Sequence, residues 1–239
     1  MTSAWFPMTT TGGDSVSGPT RSALVVGGGI GGLAAARALQ LAGWTVRVLE
    51  QAARLEPLGA GISLWPNGVH ALNLLDVPLA AKSSPAGPGG LRGRDGRWLS
   101  RTDSATYPAR YGAPLLAVHR AELQHALLAS LSPDTVVTGA RVTGLEPRPD
   151  GVLVRHDGGA RRAELVVLAD GLASPTRHLV TGRRPRARYA GYTAWRGVTS
   201  SDASLPQFSG ATESWGRGER FGLGPALRRP DLLVRHRQH

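Results

Sequence analysis

The chain has 239 residues, enough for one large domain or one and a half small ones, and long enough to bury a core without covalent staples. It has no cysteine, which excludes disulfides, thiolate metal sites and a cysteine nucleophile and leads us to expect a reducing, cytoplasmic setting. The formal charge of +11 is uneven, with 11 Arg against 4 acids from position 183 onward; no nucleic-acid motif accompanies that excess, so no nucleic-acid role is expected.

Met1 to Thr20 is rich in Thr, Ser, Gly and Pro and nearly uncharged, which predicts a disordered tail over 1–21. No apolar signal-peptide core follows a basic start. Ala23 to Val26 is an apolar run of strand length. Gly27, Gly29 and Gly32 then fall on the spacing G-x-G-x-x-G, followed by a helix-forming stretch from Leu33 to Ala42. Gly43 sits where a helix end wants a left-handed residue, and Thr45 to Leu49 reads as a second strand ending at Glu50 and Gln51. The uncharged run from Ala23 to Ala36 is shorter than the roughly 20 residues of a membrane span, so no membrane role is expected.

This pattern has a chemistry. Gly27 permits a tight turn, Gly29 lets a pyrophosphate approach bare backbone, and Gly32 lets the helix pack close to the strand. The helix N-terminus presents free N–H groups and its positive dipole end to phosphate. Glu50, closing the second strand, can accept hydrogen bonds from both ribose hydroxyls of an adenosine. Because glycine is abundant here, 32 of 239 residues, the plain alternative is a glycine-rich turn of some other α/β protein. The flanking strand, helix and acid favour the nucleotide reading.

Further along, Gly61 to Trp65 predicts a short strand, and Pro66 opens a helix carrying Val69, Leu72 and Leu75, stopped by Pro78. Ser83 to Gly90 reads as a linker. Leu91 to Arg94 and Arg97 to Ser100 flank Asp95-Gly96, a hairpin signal that marks an excursion over 83–106 toward a second domain. Leu115 to Val118 predicts a strand and Arg120 to Leu131 a helix. Strands at 141–146, 152–155 and 163–169 form a meander that runs into the apolar Leu165 to Ala169, read as a buried strand. Asp170-Gly171 follows, and Ser174-Pro175 predicts an N-cap and first-turn proline of a helix through Val180. Tyr189 to Ser200 and Phe208 to Gly224 read as strands.

Together these segments resemble the FAD-dependent aromatic-ring hydroxylases, flavoprotein monooxygenases with a para-hydroxybenzoate-hydroxylase-type fold. The glycine turn with Glu50-Gln51 is similar to that family's dinucleotide fingerprint. Gly59-Ala-Gly61-Ile62 and Pro66-Asn67-Gly68 resemble its next turn and helix. His119-Arg120 with Leu123 resembles the segment whose arginine lies along the cofactor. Leu168 to Arg177, containing Asp170-Gly171, is similar to its Asp-Gly motif, and Gly191 to Gly197, containing Trp195-Arg196, resembles the first strand of its substrate sheet. The likeness covers about residues 22 to 225. It implies an α/β fold: a Rossmann-like FAD-binding domain with a three-strand meander over 22–182, then an incomplete, mostly-β substrate domain over 183–226.

The resemblance implies FAD held by Gly27, Gly29, Ile30, Gly31, Gly32, Glu50, Gln51, Gly61, Arg120, Asp170 and Gly171. It also implies NADH or NADPH as reductant, and hydroxylation of an electron-rich aromatic small molecule by O2. No catalytic base can be named; Trp195 and Arg196 are candidates to line the substrate or flavin face. The residues leave plainer readings open as well: Arg120 as a solvated arginine, Asp170 as a turn residue, Trp195 and Arg196 as ordinary strand residues. His119 and His125 lack the company a metal site needs, and no G-x-S-x-G nucleophile elbow is present.

The family's third motif, Gly-Asp followed by Ala-x-His-Pro, has no counterpart, since the only Gly-Asp is Gly13-Asp14. From Leu227 the chain becomes an atypical basic tail over 227–239. We therefore expect a C-terminally truncated or frame-altered member. Two alternatives to the hydroxylase stand beside it: a catalytically impaired flavin-binding fragment and a related FAD-dependent oxidoreductase.

Overall fold

The structure is a computed structural model that describes residues 21–56, 59–79, 83–85, 87–184, 186–198, 210–224 and 232–238. The tail expected before position 21 lies outside these residues, as do parts of the strands expected at 189–200 and 208–224.

Strand β1 (Ser22–Val26) is apolar at every position after Ser22 because both of its faces are covered. It runs parallel to β2 (Thr45–Leu49) on one side and β12 (Leu165–Leu168) on the other, with Val25 opposite both Val48 and Val167. With β8 (Val136–Val137) these make a four-stranded parallel sheet ordered β12-β1-β2-β8. Side chains alternate along a strand. Ala23 and Val25 therefore pack with Ala36 of helix α1 (Ile30–Leu41), while Leu24 and Val26 turn the other way. That second face is covered by an antiparallel meander of β9 (Val142–Arg148), β10 (Gly151–His156) and β11 (Gly159–Ala163), through Val142, Val154 and Ala163.

A second layer joins Leu33 of α1 to helix α4 (Arg120–Ala129) through Leu123 and Leu127, and to Leu72 of helix α2 (Pro66–Leu74). A small sheet of β3 (Gly61–Leu64), β7 (Leu116–His119) and β4 (Ser83–Pro85), ordered β3-β7-β4, precedes α4. The remaining strands form a six-stranded sheet, β13-β16-β15-β14-β5-β6. It comprises β5 (Gly87–Gly93), β6 (Trp98–Thr102), β13 (Tyr192–Val198), β14 (Gly210–Trp215), β15 (Glu219–Gly224) and β16 (Leu232–Gln238). The basic tail thus contributes a strand, β16, between β13 and β15.

Four local expectations need correction. The segment 83–90 is not a linker, since it supplies β4 and the start of β5. Its glycines serve close backbone approach: a Cβ on Gly89 would overlap the carbonyl of Ala211 on the paired strand β14. The single strand expected at 163–169 is two, broken at Glu164, whose amide turns to bond the Ser22 carbonyl. Its second part, β12, is half-buried rather than buried because it is an edge strand. Finally, the helix after Pro175 is α5 (Arg177–Thr181), with Thr176 and not Ser174 at the N-cap position, although the Ser174 hydroxyl accepts from the Arg177 amide at 2.9 Å as expected of a capping serine. Helix α3 (Thr106–Tyr111) was not anticipated. Among the described residues, no helix is long and apolar enough to cross a membrane, and no group of three metal-ligating side chains gathers.

Candidate functional site

The glycine turn joins β1 to α1. Gly27 has φ +104°, and a Cβ there would lie 2.5 Å from the carbonyl oxygen of Ala169 at the end of β12. Gly32, one turn into α1, would drive a Cβ into the carbonyl oxygen of Gly27. These two glycines are structural: they let the helix sit directly on the sheet. Gly29 and Gly31 differ, because a Cβ on either would meet nothing within 4 Å. Open space therefore lies against the turn. Gly29 is also the N-cap of α1, with no side-chain cap and no acid in the first turn, so the leading amides from Ile30 onward keep their donor capacity.

Glu50 continues directly from β2. Its Oε2 accepts from the Gly28 amide at 2.5 Å and its Oε1 from the Ala52 amide at 2.8 Å, which fixes the carboxylate beside the turn. It borders two cavities. One, of 180 Å³, is walled by Gly27, Gly29, Gln51, Arg141, Asp170 and Gly171. The other, of 670 Å³, is walled by Gly28, Gly29, Arg54, Arg120 and Gln124. The aliphatic stem of Arg120 lies against Gly59, where φ is +128° and a Cβ would come within 2.9 Å of Arg120 Cδ. Gln124, one turn further along α4, donates from Nε2 to the Gly28 carbonyl at 3.0 Å and so ties α4 to the turn. Sequence reasoning passed over Gln124 and Arg141. The signal for Gln124 was its i+4 spacing from Arg120, which puts both on one helix face.

Asp170 ends β12 at the carboxyl edge of the parallel sheet, where ligands of open α/β sheets bind. Burial pushes its carboxyl up, but hydrogen bonds from the Ser174 and Thr176 hydroxyls and the Thr176 amide outweigh that and hold it below the usual carboxylate range. The Thr176 hydroxyl donates to Oδ2 at 2.7 Å. Gly171 follows at φ +87° and, with Pro175 and Thr176, continues the wall of that cavity.

A third cavity, of 450 Å³, lies between the β3–β7 sheet and the six-stranded sheet. Gly61, Trp65, Tyr107, Leu91, Glu213 and Leu223 are among its walls. Trp65 and Tyr107 meet edge to face at 5.8 Å. The structure brings together Gly27, Gly29, Glu50, Gln51, Asp170 and Gly171 at one cavity, Arg120 at the adjoining one and Gly61 at the third. It does not bring Trp195 or Arg196 there. Both sit on β13, at the edge of the sheet beyond β16, Trp195 is 52% exposed, and neither lines any of the three cavities. β16 separates β13 from β15, a strand that lines the third cavity.

Comparison with known proteins follows this geometry. Residues 25–63 match the NAD(P)-binding Rossmann-like domain. The chain is 38% identical over 205 residues to the aurachin C monooxygenase/isomerase of Stigmatella aurantiaca, covering 84% of this chain and 53% of that protein. It is 37% identical over 207 residues to the FAD-dependent urate hydroxylase of Klebsiella pneumoniae, covering 85% and 54%. The crystal structure of Klebsiella pneumoniae HpxO complexed with FAD and uric acid superposes with a TM-score of 0.83 at 34% identity, covering 90% of this chain and 56% of that one. Over most of its length this chain is similar to FAD-dependent hydroxylases and monooxygenases. The chain spans about half the length of the relatives it matches.

Proposed function

We propose that this chain is an FAD-dependent monooxygenase, hydroxylating an electron-rich aromatic or heteroaromatic small molecule with NAD(P)H as reductant and O2 as oxygen source, in the cytoplasm. The observation that carries the reading is the open space against Gly29 and Gly31, bordered by the fixed carboxylate of Glu50. That cradle fits the ADP half of FAD. In this reading the leading amides of α1 hold the pyrophosphate and Glu50 accepts from the ribose. Asp170 and Gly171 close one side of the cradle, and Arg120 and Gln124 the other. Residues 22–182 form the FAD-binding domain and lend 83–106 to a β domain with 183–226 and β16.

FAD, when bound, supplies the redox chemistry. The chain's own part is placement and exclusion of water: the 450 Å³ cavity beside Gly61 is where the ring would be held, and it is large enough for a small aromatic ligand. Titrating FAD against the full chain tests this directly. Quenched flavin fluorescence and a rise in melting temperature with FAD concentration are expected. An unchanged melting temperature and unquenched flavin would reject the reading. NAD(P)H consumption under O2 should then yield a hydroxylated ring product; turnover that proceeds equally without oxygen would indicate a dehydrogenase or reductase instead.

A specific observation favours a second reading, an impaired flavin-binding chain. Among residues whose side chains are described, no buried apolar side chain lies on the six-stranded sheet. A loosely walled cavity admits water. That reading expects NADH oxidation mostly uncoupled from product, with release of hydrogen peroxide.

A further inference from the structure

The 450 Å³ cavity has an uneven chemical lining. Among its described lining residues, the only carboxylate is Glu213, and none is Arg, Lys or His. Glu213 lies mid-strand in β14, opposite Leu91 of β5 and Gly222 of β15, and both of those residues face the same cavity. Gly222 brings no side chain, so the floor beside the carboxylate is flat, as a planar ring requires.

The carboxylate is held. The Trp215 indole N–H donates to Oε2 at 2.7 Å. Arg220 Nη1 forms an ion pair with Oε1 at 3.8 Å, longer than a hydrogen bond, and Arg220 is not among the cavity's described lining residues. One oxygen is thereby fixed and the other keeps its acceptor capacity. A fixed acceptor in an otherwise uncharged wall rewards a ligand that donates. It penalises an anion, which would meet a like charge on the cavity side, since the cation paired with Glu213, Arg220, stands outside the lining.

We propose that Glu213 is a specificity-determining residue: it accepts a hydrogen bond from an N–H or O–H of a neutral or cationic aromatic ring and selects against rings that carry a carboxylate. This rests on the reading of the cavity as the hydroxylase's ring site.

Matched probes test it. 4-Hydroxybenzamide and 4-hydroxybenzamidine share ring and hydroxyl with 4-hydroxybenzoate and differ only in the para group. Isothermal titration calorimetry on the full chain, with and without FAD, is expected to show the amide and the amidine binding at least about tenfold tighter than the benzoate. Glu213→Gln keeps the shape and removes the charge, and should narrow that ratio to within about threefold. Equal affinities, preference for the benzoate, no measurable binding of amide and amidine, or an unchanged ratio in E213Q would each overturn the assignment. Should E213Q fail to fold, the wild-type order of affinities decides alone. FAD is titrated separately by flavin fluorescence. FAD binding without the amide preference removes the role of Glu213 only, whereas the preference without FAD binding removes the flavoprotein reading only.

Discussion

The nucleotide-binding half and the six-stranded sheet are both regular, yet they are held by different forces. Every buried apolar side chain among the described residues lies between Ala23 and Ala163, and none is on the six-stranded sheet. In the first region β1 is sandwiched between α1 and the meander, and Val25, Leu33, Ala36, Val48 and Leu127 are fully buried. In the second, Leu99, Trp195, Trp215 and Phe221 all stand more than a third exposed. Backbone pairing and exposed side-chain contacts, such as the Glu213–Arg220 pair and Arg92 over Trp98, hold that sheet's described strands, and hydrogen bonding that exchanges with water contributes little net stability. The difference teaches that the region around the glycine turn is tightly packed and the cavity wall on the six-stranded sheet loosely packed.

The sharpest way to break this contrast is at Gly32. A valine there must displace the Gly27 carbonyl or lift α1 off the sheet, so Gly32→Val should cost more than about 4 kcal/mol, removing the cooperative thermal transition together with FAD binding. Next comes Leu127, wholly buried between α4 and α1. Leu127→Ala should cost about 3 kcal/mol in denaturant melts. The matching truncation in the other region, Phe221→Ala, should stay within about 0.5 kcal/mol. Comparable losses at both sites would show that the sheet has a core of its own.

The same contrast governs what was legible beforehand. The turn, α1, β2 and the acid at its end are contiguous and their spacing is itself the signal, so Gly27 to Gln51 could be read as one unit, although the close approach that requires Gly27 comes from distant Ala169. The Asp95-Gly96 hairpin was legible for the same reason: Gly96 adopts φ +82° and β5 and β6 pair across it. The six-stranded sheet depends on partners far apart. β5 pairs in parallel with β14 some 120 residues later, and a stretch whose glycines exist to admit that strand looks, on composition alone, like a linker. Glu213 was invisible as a wall residue for this reason too, while Trp195 attracted notice by its type although its strand lies at the sheet's edge.

Glu50 gives a prediction confined to the cradle. Glu50→Gln keeps one oxygen for the Gly28 or Ala52 amide and loses the charge that strengthens hydrogen bonds from ribose hydroxyls. FAD affinity should fall about tenfold by fluorescence titration, close to 1.4 kcal/mol, with little change in the melting temperature of the FAD-free chain. A large loss of FAD-free stability would make Glu50 a structural clamp rather than a ligand.

A further effect, confined to acid, is the response of Asp170. Its carboxyl is held below the ordinary 3.8 because the hydrogen bonds from Ser174 and Thr176 outweigh burial. A depressed folded value means that the group's contribution is complete above the unfolded value near 3.8 and drains away as pH falls through the lower folded one. Solvent reaches this carboxylate, so the contribution should be at most about 1 kcal/mol. Asp170→Asn retains an acceptor for the Thr176 hydroxyl and removes the titration. Stability measured from pH 5 down to about pH 2 should therefore lose part of its slope in the variant while the neutral-pH values stay close. A variant whose acid limb runs parallel to the wild type would mean that the Ser174 and Thr176 bonds orient the loop without favouring the charged form. Asp170 would then close the cradle by shape rather than by charge.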